Sequence, residues 1–170
     1  MDSLIRLATP ADIPAMTDLE RVCATAAHWT PEQYLDAFDC RGVKRLVLVA
    51  ETPLSSASLA VIRDETIRPD MGCVQGFLVV RHVAGEWELE NIVVAPAARC
   101  RGLGQRLLDA LLAAARETNS SSVFLEVRES NAAARGFYEK VGFVQTGRRK
   151  SYYTDPAEDA VLYRYGLGMK

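Results

Sequence analysis

Glu126 and Tyr138 stand twelve residues apart in VFLEVRESNAAARGFYEKVGF (123–143), the acid inside an apolar run and the phenol in the segment that follows. A carboxylate can accept a proton, and a phenol with a pKa of about 10 can donate one, so the pair has the equipment for general acid–base chemistry. Each also has an ordinary structural use. Glu126 could pair with Arg128 or Arg148 at a sheet margin, and Tyr138 could be a core aromatic in step with Ala134, Phe137 and Val141.

A second group with chemical potential is RCRGLG (99–104), between an apolar strand pattern and a helical one. A helix N-terminus with unpaired N–H groups and a favourable dipole attracts phosphate, glycine at 102 and 104 lets an anion approach the backbone, and Arg99 and Arg101 add charge. No Gly-Lys-Ser/Thr follows, which excludes a Walker loop, and Leu107 stands where a dinucleotide fingerprint has its third glycine. A plain helix-start turn is the alternative. Cys100, flanked by arginines, is expected to present its backbone N–H rather than to act as a nucleophile, since no base lies near it in sequence.

The elements that must position these residues are readable from periodicity. SLIRLA is a strand, and Ile13, Met16, Leu19 and Cys23 then recur at helical spacing behind a Thr/Asp/Pro start. Thr30, Pro31 and Gln33 form a capping box with proline at the first helical position. RLVLVAE (45–51) is a strand, residues 52–72 carry no resolvable pattern, and VQGFLVVRHV with EWELENIVVAP makes a hairpin around AGE. Leu103, Leu107, Leu108, Leu111, Leu112 and Ala115 give the helix after the glycine loop a wide apolar face. The strand SVFLEV and a helix capped by Ser130 or Asn131 and closed by Gly142 come next, then strands near 143–150 and 160–167. A strand–loop–helix–strand order implies a right-handed crossover, so 87–95 and 122–128 should run parallel. Alternation on the second of these puts Phe124, Glu126 and Arg128 on one face.

Composition narrows the function classes. At 170 residues and 49% hydrophobic, the chain fits a single domain, 1–170, with a core that needs no staples. No apolar run reaches the roughly 20 residues of a membrane span, and Asp2 and Asp12 sit where a signal peptide would be basic and greasy, so a cytoplasmic protein without membrane contact is expected. Four scattered cysteines and two isolated histidines, His28 and His82, support no metal site. Net charge −2 argues against direct nucleic-acid binding. It hides a split of −6 over 1–98, +5 over 99–150 and −1 over 151–170, which suits a polyanionic small ligand on the later part and a cationic one on the earlier.

Taken with its context, R-x-x-G-x-G at Arg99, Gly102 and Gly104 after NIVVAP resembles the GCN5-related N-acetyltransferase (GNAT) superfamily. NIVVAPAARCRGLG, LEVRESNAAARGFYEKVGF and RRKSYYTDPAEDAVLY are together similar to the RimI-like ribosomal-protein-alanine N-acetyltransferases over residues 87–167. The resemblance implies an α/β fold with a mixed, mostly antiparallel sheet splayed between two parallel strands, about four helices, and acetyl-CoA as cosubstrate without a metal. It implies that the backbone of Ile92, Val93 and Val94 pairs with the pantetheine arm, that Arg99, Cys100, Arg101, Gly102, Leu103 and Gly104 hold the pyrophosphate, and that Asn131 contacts the cofactor. It casts Glu126 as general base and Tyr138 as general acid, with Glu88 and Glu90 as rival bases. Trp29, Tyr34 and Tyr152 become candidate groove aromatics for a protein or peptide N-terminus, the implied acceptor, with a ribosomal protein as the specific guess and a small amine or a lysine side chain as the alternative.

Overall fold

A computed structural model describes residues 3–23, 26–39, 43–52 and 73–168. The uninterpretable stretch of the sequence, 52–72, lies outside the described residues except for Thr52. The elements run β1 (Leu4–Leu7), a 3-10 turn (Pro10–Asp12), α1 (Ile13–Arg21), α2 (Pro31–Phe38), β2 (Arg45–Thr52), β3 (Cys73–Val83) and β4 (Glu86–Val94). A second 3-10 turn (Pro96–Ala98) leads to α3 (Leu103–Glu117), β5 (Ser122–Arg128), α4 (Ala132–Val141), β6 (Val144–Thr154) and β7 (Ala157–Gly166).

The strands form one seven-stranded sheet in the order β1-β2-β3-β4-β5-β7-β6. β1–β2, β5–β7 and β6–β7 are antiparallel, whereas β4 and β5 run parallel as the crossover rule requires. The β4–β5 register covers Trp87↔Val123, Glu88↔Phe124 and Leu89↔Leu125, after which both strands continue without further pairing among the described residues. The sheet is therefore mixed, with the parallel pair that the family resemblance implied.

The chain divides into two compact units, each assembled from several segments. The first comprises residues 1–39, 47–78 and 92–107. Its core holds Met16, Tyr34, Val49, Phe77 and Leu107, all without exposed surface. Thr30 caps α2 as read from the sequence, its hydroxyl accepting from the Gln33 N–H at 3.3 Å while the Gln33 amide oxygen accepts from the Thr30 N–H at 2.8 Å. Arg6 reaches both Asp12 oxygens, at 2.9 and 2.8 Å, and Glu51 at 2.8 Å, tying β1 to the turn before α1 and to β2.

The second unit comprises 40–46, 79–91 and 108–170. Here Leu108, Leu111 and Ala115 of α3 are fully buried, as are Val123 and Tyr163. The β3–β4 turn is Ala84–Gly85, both at positive φ (50° and 85°), the two-residue hairpin geometry that matches strand twist. Trp87, 1% exposed, donates its Nε1–H to Thr118 at 3.0 Å just beyond α3. α4 begins at Asn131, whose Oδ1 accepts from the Ala134 N–H at 3.1 Å, and ends at Gly142 with φ 109°. The Phe143 N–H then closes on the Tyr138 carbonyl at 3.0 Å, a Schellman ending. β6 extends to Thr154, four residues past the sequence expectation, because an irregularity between Arg149 and Tyr153 breaks the alternation that marks a strand.

Candidate active site

In the first unit, β4 runs out at Val94 and Pro96–Ala98 turns the chain towards α3. Cys100 (φ 58°) and Gly102 (φ 79°) both adopt left-handed backbone, and both are exposed. A non-glycine residue in this region is uncommon and marks a backbone shaped for something other than its own stability. The Gly102 carbonyl accepts the first helical bond, from the Arg106 N–H at 3.0 Å, so the N–H groups of Leu103 and Gly104 lie in the turn that has no intrahelical acceptors. Leu103 anchors this turn by burying its side chain. Gly76 on β3 makes the close seating possible: a Cβ there would lie 2.9 Å from the Val93 carbonyl oxygen and 3.4 Å from Leu107. An exposed helix start with consecutive left-handed bends suits the diphosphate of a coenzyme.

Arg99 behaves differently from the sequence expectation of a loop cation. Its Nε donates to the Val94 carbonyl at 3.1 Å and its Nη2 to the buried Cys23 sulfur at 3.3 Å, so the side chain is turned back onto the strand end. Arg101, like Arg99, is exposed. Ile92, Val93 and Val94 form the last turn of the pleat, with Val93 buried and its neighbours half-buried.

The second unit carries the candidate acid–base residues. β5 alternates as read, with Val123, Leu125 and Val127 buried and Phe124, Glu126 and Arg128 half-buried on the other face. Glu126, 15% exposed, pairs with Arg149 at 3.0 Å rather than with Arg128 or Arg148. Those two bind Glu158 and Glu129 instead. The nearby Glu126 carboxylate, followed by burial, holds the Tyr152 phenol pKa above its ordinary value. Tyr153 is pushed up to about 12 by burial first and by the Glu126 charge second.

The hairpin geometry explains why these residues meet. Between Arg149 and Tyr153 the β6–β7 register slips, Ser151 takes positive φ (49°), and its N–H donates to Asp159 Oδ1 at 2.9 Å. The slip lets Arg149 and Tyr152 both reach the Glu126 side of the sheet, with the Arg149 guanidinium 4.9 Å from the Tyr152 ring. Sequence reading missed Arg149 and Tyr153 for the same reason that it stopped β6 early. The doubled tyrosine after a basic run was the only signal present.

Tyr138 is 6% exposed, its ring packed 5.5 Å from Phe137 and 5.8 Å from Phe143. Burial, reinforced by Tyr153, drives its pKa well above that of a free phenol, so it holds its proton across the working pH range. The rival bases are engaged otherwise: Glu88 accepts from Arg81 Nε at 2.6 Å, and Glu90 pairs with Arg45 at 3.1 Å and Arg81 at 3.5 Å. Asn131 commits its side-chain oxygen to the α4 cap. Among the candidate groove aromatics Tyr152 is exposed (45%), Trp29 is half-buried, and Tyr34 is fully buried, edge-on to Phe77 at 5.8 Å.

The acetyltransferase (GNAT) family model matches residues 14–143. A [ribosomal protein bS18]-alanine N-acetyltransferase from Escherichia coli K12 is 37% identical over 100 residues, which are 58% of this chain and 68% of that protein. An N-alpha-acetyltransferase RimI from Mycobacterium tuberculosis is 43% identical over 83 residues, 49% of this chain and 51% of its own. The crystal structure of the Escherichia coli ribosomal-protein-S18-alanine N-acetyltransferase superposes with a TM-score of 0.74 at 27% identity, covering 99% of this chain and 96% of that one. With the family match spanning most of the sequence and β4 and β5 running parallel in a mixed sheet, the chain belongs to the acetyltransferase (GNAT) family and is an acetyl-CoA-dependent N-acetyltransferase.

Proposed function

We propose that this enzyme acetylates the α-amino group of a protein N-terminus, with an alanine terminus of a ribosomal protein as the specific acceptor, in the cytoplasm. The reading is supported by the occurrence, on one unit, of a half-buried carboxylate paired with Arg149 and of a buried phenol that keeps its proton. Similarity to the Escherichia coli [ribosomal protein bS18]-alanine N-acetyltransferase supports the acceptor class.

Acetyl-CoA supplies the acetyl group as a thioester, with Arg101, the N–H groups of residues 100–104 and the backbone of Ile92–Val94 as the groups that hold it. An α-amine with pKa near 8 arrives mostly as ammonium. Glu126 takes one of its protons and passes it to solvent. The neutral nitrogen bonds to the acetyl carbon as the carbon–sulfur bond breaks, and Tyr138 gives its proton to the departing sulfur. The second proton released by the nitrogen as the amide forms restores the phenol, so the transfer balances. Tyr138 suits the donor role because its proton cannot be lost to bulk at neutral pH.

Mass spectrometry on a mixture of N-terminal peptides, lysine peptides and polyamines after incubation with acetyl-CoA tests the reading. Acetylation confined to α-amines, alanine foremost, is expected. Preference for a lysine side chain or a polyamine overturns the acceptor assignment in favour of a small-amine or lysine acetyltransferase.

A further inference from the structure

Resting on that reading, we propose that Arg149 is a displaceable counterion for the base: its guanidinium occupies the place at Glu126 that the acceptor ammonium must take. Glu126 is not held by the charges of its own strand or its neighbour. Arg128 is bound to Glu158, with its guanidinium 4.1 Å from the Tyr153 ring, and Glu88 faces Arg81. From β6 come Arg149, Tyr152 and Tyr153, and only Arg149 brings a positive charge. It is also the more exposed partner, 55% against 15% for Glu126. The strand irregularity, with Ser151 fixed through Asp159, gives this contact a built geometry.

The pair is well suited to exchange. An exposed arginine on an edge strand is weakly held and free to swing into water, so its loss leaves no buried orphan. The carboxylate, by contrast, is mostly covered and needs a cation in its place. A protonated α-amine replaces one cation by another and delivers the proton that Glu126 is to take. An uncharged nucleophile, such as water or a weakly basic arylamine, must break the pair with nothing to replace it. Arg149 thereby selects for basic, cationic acceptors.

A competitor that occupies the site raises the apparent KM by the fraction of time it sits there. Arg149→Gln, which keeps length and polarity without charge, is expected to lower KM for an alanine-terminated peptide about two- to fivefold, the range an exposed pair can supply. Its kcat should stay within about twofold, and Arg149→Lys should restore the wild-type KM. Calorimetry of an alanine amide against the CoA-loaded proteins should show the same tightening in Arg149→Gln alone. Relative turnover of a weakly basic arylamine should rise in that variant. Peptide turnover with KM unchanged or raised in Arg149→Gln, or Arg149→Lys behaving like Arg149→Gln, overturns the counterion role alone. No peptide acetylation by the wild type overturns the acetylation reading, and this inference with it.

Discussion

A glutamate on a strand face and a tyrosine inside a helix would be unremarkable singly; the surroundings of each suit the separate roles proposed for them. Glu126 keeps partial access to water and three β6 neighbours, so it can exchange protons. Tyr138 is sealed among aromatics, and desolvation opposes its phenolate. Glu126→Gln is expected to lower kcat by about 10²- to 10⁴-fold, the usual scale for a lost general base, with little change in the calorimetric Kd for acetyl-CoA. Tyr138→Phe keeps the ring packing and removes only the donor, so kcat should fall at least tenfold with Tm nearly unchanged, as differential scanning calorimetry would show. Full turnover by either variant removes that residue from the chemistry. The pH profile follows from the direction of the Tyr138 shift. A phenol whose folded pKa is raised above the ordinary value of 10.0 stays protonated up to and beyond that pH, so the rate should show no falling limb from this acid below about pH 10. A limb near pH 8 that disappears in Tyr138→Phe would contradict the burial argument.

The elements set these positions through a few local choices. α4 starts on Asn131 and stops on Gly142, and those two residues fix which helical position faces inward at 138. Both caps were legible, because cap chemistry is local. The seating of α3 was not, since the space above Gly76 depends on β3, β4 and α3 coming together. An alanine methyl 2.9 Å from the Val93 carbonyl cannot be accommodated without moving backbone. Gly76→Ala should therefore destabilise by about 1–3 kcal/mol, the cost of overpacking, and weaken acetyl-CoA binding through the displaced α3 start. Chemical denaturation and calorimetry together check this; wild-type stability with wild-type affinity would show that the helix start is not seated by this contact. The β6 irregularity was equally invisible, because a register slip has no signature in alternation except its loss.

At the scale of the whole molecule, burial and charge decide how the chain responds to its surroundings. Among the described residues no helix is long and apolar enough to cross a membrane, and no cluster of metal-binding side chains forms. Asp12 is fully buried, and burial pushes its pKa up, but the Arg6 and Thr9 hydrogen bonds outweigh this and hold it below the ordinary carboxylate value. A depressed carboxylate contributes stability that is present above its unfolded pKa, near 3.8, and is lost as pH falls through the folded value. Acid unfolding should therefore steepen below about pH 4, and Asp12→Asn should flatten that limb while costing about 1–3 kcal/mol at neutral pH, because Arg6 loses its bidentate contact and keeps only Glu51. Urea titrations at several pH values measure both, and an unchanged acid limb in the variant would assign it to other carboxylates. What the sequence determined alone was whatever short-range physics dictates: the apolar face of α3, the caps, the hairpin turn, the glycines of the turn before α3, and the side of β5 on which Glu126 stands. What only the tertiary structure decided was partnership. Arg149 at Glu126, Arg99 folded onto Val94 and Cys23, and Gly76 beneath Leu107 join residues far apart along the chain, and pairing at such distance is set by how the sheet assembles, which no window of sequence contains.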